Sequence, residues 1–328
     1  MTLQVRITQE RWQLNEAFEI AGQVMTDLPL LLLELIDENG NMGRAEAAGI
    51  DYDGETPESM SDQLNSILPK LRSTTTPIDV QAWLPRGGAR NALDCALWDL
   101  QAKRCGKPAW FSAGLEPMRP VTTACTIGLG NIADIRRHAR RLSAAPMIKI
   151  KVDGVRHVKA IRAVREEAPM ARLVIDANQS WGAVLIQKLL PELLDLGVEF
   201  IEQPVPRGSD AQLDGLNSPI PIVADESCTD RRSLPFLVNR YQGVNIKLDK
   251  TGGLTEALAL AHEARLLGFD IMVGNMCGTS LGMASAFLVA QKARWVDLDG
   301  PLLQQKDRPY AMQYLQGVVE PPSSQLWG

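Results

Sequence analysis

The chain has 328 residues, 45% of them hydrophobic and 22% charged, with a formal net charge of −5. That length holds one large domain with a smaller one, or two ordinary ones, and the composition is that of a soluble globular protein. No basic tract for nucleic acid occurs, and the longest apolar run, 28–36, is too short for a bilayer and contains Glu34.

In chain order, residues 1 to about 110 read as α+β. Strand-like pieces at 3–8, 30–36 and 42–47 precede helical stretches at 57–71 and 89–104, the second marked by Ala92, Leu93, Ala96, Leu97 and Leu100 at helical spacing. From about 120 the pattern alternates. Strands are predicted at 121–127, 147–152, 172–176, 198–202, 221–225, 243–247, 270–274 and 294–298, with helices between most of them, among them 155–168, 182–195, 229–239 and 254–266. Eight such strands predict an α/β fold, a (β/α) TIM-type barrel. The division expected is an α+β capping domain at 1–115, a barrel catalytic domain at 116–305 and a tail at 306–328 that returns to the capping domain.

Five charged residues end successive apolar runs: Lys151, Asp176, Glu202, Asp225 and Lys247, at steps of roughly 22 to 26 residues, the length of one strand–helix unit. Charges at the carboxyl ends of parallel strands converge where barrels do chemistry. Any one of the carboxylates alone fits a helix cap better than a ligand. Three on consecutive strands repel and raise each other's pKa unless a cation lies among them. All-oxygen ligation indicates Mg²⁺, with Mn²⁺ as the other fit.

Lys149 and Lys151 share one face of their strand and point into the lumen if that strand is interior; a solvated edge strand is the plain alternative. Lys247 comes from the opposite side. Lys250 sits beyond it in a glycine turn, as a structural or supporting charge. Asp297 and Asp299 also share a face, either as turn residues before Gly300 or as a pair for a substrate ammonium, too far round the barrel to join the metal trio. The five cysteines, Cys95, Cys105, Cys125, Cys228 and Cys277, are odd in number and without a CxxC pair, which predicts free thiols in a reducing cytoplasm. The three histidines have no ligand spacing. Scattered Trp and Tyr leave the oligomeric state open, a homo-oligomer included.

Lys149-Ile150-Lys151, Asp176-Ala177-Asn178, Glu202-Gln203-Pro204, Asp225-Glu226-Ser227 and Asn245-Ile246-Lys247, in this order and spacing, resemble the muconate-lactonizing subgroup of the enolase superfamily over essentially the whole chain. Asp297-Leu298-Asp299 and the stretch 244–260 resemble the dipeptide epimerases, the L-Ala-D/L-Glu epimerase type in particular. The resemblance implies a modified barrel, with Mg²⁺ held by Asp176, Glu202 and Asp225 and binding the substrate carboxylate. Lys151 and Lys247 would then act as acid and base on opposite faces of the α-carbon, through an enediolate, with Lys149 as added positive charge, Asn178 in support and the lysines' pKa lowered by burial and neighbouring charge. Asp297 and Asp299 would hold a dipeptide's amino group, Thr126 would orient it, and Met25, Tyr52 and Cys277 would line the pocket.

The capping loops, 21–27 and 49–55, carry acids and no base. They cast doubt on a glutamate substrate and point to a cationic or neutral polar residue. Cycloisomerisation, o-succinylbenzoate formation and N-acylamino acid racemisation on the same scaffold are the rival chemistries. A catalytically silent binding barrel is the rival outside enzymes.

Overall fold

The computed structural model describes residues 3–20 and 23–328. Met1 and Thr2 at the start of the chain, and Ala21 and Gly22 of the first capping loop, lie outside the described residues. Among the described residues no helix is long and apolar enough to cross a membrane.

The N-terminal sheet is antiparallel, with β1 (Gln4–Ile20), β2 (Gln23–Ile36) and β3 (Met42–Ala47) in that order. The first two strands are far longer than 3–8 and 30–36. β3 pairs only with residues 31–36, so beyond that point β1 and β2 form a two-stranded arm. It starts at Glu10 and Arg11, paired with Leu30 and Pro29; from Thr8 to Arg11 β1 has no apolar alternation, and period-two reading stops there. At the base, Leu31, Leu33 and Leu35 are fully buried. β3 packs against the helix Gly88–Cys105, and a side chain at Gly43 would lie 2.2 Å from the Ala96 carbonyl, so glycine sets that approach.

The predicted helix 57–71 is helical over Pro57–Ile67, then tightens into a 3₁₀ turn at Leu68–Lys70 that contains Pro69. A short helix at Pro77–Trp83 was not expected, although Thr76 and Asp79 cap it reciprocally and Pro77 opens it. The predicted helix 229–239 is reduced to a 3₁₀ turn, Arg231–Ser233, and one turn at Leu234–Leu237; Pro235 stands near its start.

After a short β4 (Val121–Thr122) come eight parallel strands: β5 (Cys125–Ile127), β6 (Met147–Lys151), β7 (Arg172–Asp176), β8 (Val198–Glu202), β9 (Ile222–Ala224), β10 (Gly243–Ile246), β11 (Asp270–Val273) and β12 (Trp295–Val296). They lie side by side in chain order. A hydrogen bond from Ala124 N to Val296 O, 2.8 Å, links the two ends of this curled sheet. The fold is thus the α/β barrel with an N-terminal antiparallel domain. After the barrel, β13 (Tyr314–Leu315) pairs with β14 (Val318–Val319), and β14 pairs with β4. The last residues reach the N-terminal domain: Trp327 Nε1 donates to Cys95 O at 3.1 Å and Gly328 N to Asp99 at 2.7 Å.

Candidate active site

Strand periodicity builds the site in layers. Ala124, Met147, Val174, Phe200, Val223, Met272 and Trp295 form a buried cluster of their own, one residue from each of seven neighbouring strands or strand ends. Phe200 and Trp295 meet with ring centroids 4.6 Å apart. Two residues further along each strand stand Thr126, Lys149, Asp176, Glu202, Asp225, Gly274 and Asp297. Alternate side chains face the same way, so an apolar floor on one level dictates that these occupy the lumen above it. Lys151, Lys247 and Asp299 are two residues higher again. β10 has no side chain at Gly243 on the floor level and places Asn245 and Lys247 above it.

The strand-end charges meet. Lys149 Nζ lies 2.7 Å from Glu202 Oε2, 2.8 Å from Asp297 Oδ2 and 3.2 Å from Asp176 Oδ2. Lys151 Nζ lies 2.6 Å from Asp176 Oδ2, and Lys247 Nζ 2.7 Å from Asp225 Oδ2. Lys250 is fully buried and donates to Asp225 Oδ1 at 2.5 Å and Asn245 O at 3.0 Å. It therefore binds a trio carboxylate directly. Asn245 Nδ2 donates to Glu202 Oε1 at 2.7 Å. Asn178 reaches Asp176 through its backbone N–H, 2.9 Å, from a left-handed conformation. β6, which ends in Lys151, and β10, which Lys247 follows, have β7, β8 and β9 between them, so they stand four positions apart in the eight-stranded sheet.

Asp297 and the trio are closer than the sequence reading expects, because Lys149 spans the narrow lumen and touches both. Asp297 keeps Oδ1 buried and without a hydrogen-bond partner. Asp299 Oδ2 accepts the Thr126 N–H at 2.6 Å. Tyr52 is 40% exposed; burial and then the Asp225 charge push its hydroxyl pKa up, with Lys247 opposing. Met25 and Cys277 pack into one apolar cluster with Trp12, Phe18 and Leu303. Burial, then Asp299, pushes the Cys277 thiol up to about 12, so it is no thiolate nucleophile.

Several residues were not singled out by the sequence. Gln203 is fully buried; its amide oxygen accepts the N–H of Asp225 at 2.8 Å and of Ser227 at 3.1 Å, and its Nε2 donates to Val205 O, Ser227 Oγ and Tyr241 OH. It fixes the backbone of Asp225. A polar side chain on the helix-facing parity of a barrel strand is a signal that could have found it. Glu226 is 4% exposed, with Oε1 3.2 Å from Gln179 Nε2 and Oε2 without a hydrogen-bond partner. Arg207, in the loop after β8, reaches the second capping loop and pairs with Asp53.

The electrostatics are one-sided. Asp176, Glu202, Asp225, Glu226, Asp297 and Asp299 are all buried, as are Lys149, Lys151, Lys247 and Lys250. Six carboxylates against four ammoniums leave two negative charges uncompensated when all are ionised. Burial works to raise Asp176, but Lys151 and Lys149 outweigh it and hold it at about 2. Asp225 is likewise buried and held low by Lys247 and Lys250. The excess falls on the others. Burial and then Asp176 push Glu202 up to about 7, burial and Asp225 do the same to Glu226, and burial and Asp297 to Asp299. Lys149 and Lys247 depart from expectation. Burial lowers Lys247, but Asp225 and Glu202 more than reverse it, and Asp297, Glu202 and Asp176 do the same to Lys149.

Among the described residues no three His, Cys, Asp or Glu side chains form a ready-made metal cage. The reason is visible in the distances: each trio carboxylate has turned an oxygen to a lysine. The residues nevertheless fit a divalent cation. The deficit is two charges, the donors are hard oxygens, and Glu226 Oε2 and Asp297 Oδ1 are buried without hydrogen-bond partners.

A barrel whose strand ends carry a carboxylate trio between two opposed lysines defines a class of metal-assisted proton-transfer enzymes. Residues 2–111 match the family described as mandelate racemase / muconate lactonizing enzyme, N-terminal domain, and residues 134–325 the enolase C-terminal domain-like family. The chain belongs to this family. It is 40% identical over 317 residues to an L-Ala-D/L-Glu epimerase of Escherichia coli, covering 96% of this chain and 98% of the relative. It is 45% identical over 247 residues to an N-acetyl-D-glutamate racemase of Pseudoalteromonas, covering 75% and 78%. A solved enolase-family structure from Agrobacterium tumefaciens, with homology to dipeptide epimerases and with sodium and L-Ala-L-Glu bound, superposes with a TM-score of 0.96 at 39% identity, covering 99% of this chain and 100% of that one.

Proposed function

We propose that the chain is a dipeptide epimerase that inverts the α-carbon of the C-terminal residue by two-base 1,1-proton transfer. The observation that carries this is the placement of Lys151 and Lys247 on strands half a barrel apart, with Asp176, Glu202 and Asp225 on the strands between them. Those three carboxylates would hold Mg²⁺. When bound, the cation withdraws negative charge from the substrate's carboxylate oxygens and so acidifies the α-proton.

One lysine enters the reaction as a neutral amine and takes the α-proton. The other, as ammonium, delivers a proton to the opposite face. The lysines have then exchanged protonation states, which makes the reaction reversible between the two hands. Asp176 and Asp225 would hold the cation, and Lys247 would then keep less of the Asp225 charge that opposes its burial, which favours the neutral amine. Lys149 neutralises Asp297 and Glu202 and keeps the lumen from excess negative charge. Asp297 and Asp299 would receive the dipeptide's ammonium, with Thr126 beside them. Met25 and Cys277 would form an apolar wall and Tyr52 a lid over the Asp225–Lys247 flank. Five free cysteines support a reducing cytoplasm as its location.

Charge balance favours a dipeptide. With the divalent cation and one lysine neutral the lumen carries one negative charge, and a zwitterionic dipeptide backbone adds none. An N-acyl amino acid adds a second. N-acetylglutamate racemisation is the second reading, favoured by the Pseudoalteromonas relative. The test is proton NMR in D₂O with L-Ala-L-Glu, L-Ala-L-Gln and N-acetyl-L-glutamate. Mg²⁺-dependent washout of the α-proton with appearance of the D-epimer is expected for the dipeptides. Exchange confined to N-acetylglutamate would replace the first reading by the second.

A further inference from the structure

The connection from β11 to β12 opens with a turn, 275–279, that is fastened at both ends. At its start Asn275 Nδ2 donates to the Asp297 carbonyl at 2.6 Å, and Asn275 Oδ1 accepts the Cys277 N–H at 2.7 Å. Cys277 is held left-handed, with φ 64°. The middle of the turn lies against the residue after Asp299: a side chain at Gly300 would stand 2.9 Å from Asn275 Oδ1 and 3.1 Å from the Gly278 backbone. Gln304 Nε2 donates to the Gly278 carbonyl. The backbone on which Asp297 and Asp299 stand therefore leans on this turn.

The far end of the turn is held from the other domain. Glu46, in β3, is 4% exposed. Its Oε1 accepts the Thr279 N–H at 2.6 Å, and its Oε2 accepts the Thr279 hydroxyl at 2.5 Å. Two glycines leave room for the carboxylate: a side chain at Gly278 would lie 2.9 Å from Glu46 Oε1, and one at Gly282 3.0 Å. Arg308, from the tail, supplies the opposite charge, with Nε 2.8 Å from Glu46 Oε2, and its Nη2 goes on to Glu10 of β1 at 2.6 Å. An ion pair that only joined the domains would be complete with Arg308. Glu46 also bonds Thr279 twice, and a charged acceptor on a backbone N–H fixes the chain in direction as well as in place.

We propose that Glu46 is a positioning residue that acts through the turn 275–279 to set the place of the Asp297–Asp299 pair. This rests on the epimerase reading above, in which that pair receives the dipeptide's amino group, and it brings the N-terminal domain into substrate binding. The experiment measures kcat and KM for L-Ala-L-Glu at saturating Mg²⁺ in wild type, Glu46→Ala, Glu46→Gln, Asn275→Ala and the double variant Glu46→Ala/Asn275→Ala, with a melting temperature for each. Glu46→Ala raises KM about 10-fold, the loss of a charged hydrogen bond. It leaves kcat within about two-fold, because Lys151 and Lys247 are held by Asp176 and Asp225 and not by the turn. Asn275→Ala has the same signature. The double variant is no worse than either single one, since both act through one turn. Glu46→Gln keeps an acceptor for the Thr279 N–H and recovers most of the KM.

A lowered melting temperature with unchanged KM in Glu46→Ala would make the residue a strap between domains and overturn the inference. Effects on KM that multiply in the double variant would overturn it too. Where Glu46→Ala does not fold, Asn275→Ala and Thr279→Val, which removes only the hydroxyl bond, decide: each raises KM, and an unchanged KM in either overturns the inference. Wild type separates this claim from the one beneath it. Turnover of N-acetyl-L-glutamate with none of L-Ala-L-Glu removes the epimerase reading and the inference with it. A dipeptide turned over with a KM indifferent to Glu46 removes the inference and leaves the reading.

Discussion

The barrel lumen and the capping loops above it are built on different principles. The lumen is buried, and every side chain in it is placed by one rule, the two-residue repeat of a strand whose floor is apolar. The cap holds itself by exposed ion pairs between distant segments. Arg207–Asp53 joins residues 154 apart with the arginine side chain 41% exposed, and Arg156–Glu19 pins the hairpin arm with side chains 43% and 32% exposed. Buried charges cannot be moved without large cost, whereas solvated pairs exchange partners for little. Chemistry belongs in the first region, and choice of substrate in the second.

The sharpest way to break this division is to remove a lumen base. Lys151→Ala and Lys247→Ala each lower epimerisation by about 10³-fold or more, within the range of general acid–base loss. The two variants differ in kind. With each lysine serving one face, each variant loses α-proton exchange of one hand of the substrate and retains part of it for the other. NMR in D₂O with the separate L,L and L,D dipeptides reads this directly. Equal loss of exchange for both hands in each variant would remove the two-face mechanism.

Chelation comes next. EDTA abolishes turnover and Mg²⁺ restores it. The protein itself also reports the ion, because a ligand bound only by the folded state at 100 times its Kd stabilises that state by about 2.7 kcal/mol. Added Mg²⁺ therefore raises the melting temperature of wild type, and less so that of Glu202→Gln. An unchanged melting temperature with saturating Mg²⁺ argues that the two-charge deficit is met in another way.

These two regions also differ in how far they could be read from the sequence. Lys151, Asp176, Glu202, Asp225 and Lys247 were legible because a strand's end and its parity are local properties, and eight local patterns in series define a barrel. Gln203 lies one residue from Glu202 yet was missed, since its partners, the amides of Asp225 and Ser227, come from the next strand. Arg207 was missed for the same reason on a larger scale. The outer arm of β1 and β2 was missed because it starts in the polar run Thr8 to Arg11, and its apolar residues Leu14, Leu28 and Leu30 are buried only by contacts with distant segments such as Cys277 and Leu303. The pKa direction of Lys149 and Lys247 was misjudged because burial is predictable from parity, whereas the carboxylate oxygens facing each ammonium are not.

The proposed ammonium subsite gives a smaller effect. Asp297→Asn lowers kcat/KM for L-Ala-L-Glu by roughly 30-fold and should affect N-acetyl-L-glutamate less, measured as the ratio of the two. Because Asp297 also holds Lys149, a structural loss would strike both substrates equally, so the ratio separates recognition from support.

The smallest effect on chemistry tests stability instead. Phe200 lies in the lumen floor, fully buried against Trp295, and nothing reactive touches it. Phe200→Ala should cost about 3–5 kcal/mol through the cavity it leaves. Arg240→Ala removes a surface pair with Asp214, whose side chain is 57% exposed, and should cost about 1 kcal/mol or less. Both are read from denaturant midpoints at unchanged slope. If the two variants lost similar stability, the floor would not be what sets the height of the polar layer. The heights of the polar side chains would then be set by something other than floor residues fixed more firmly than anything at the rim.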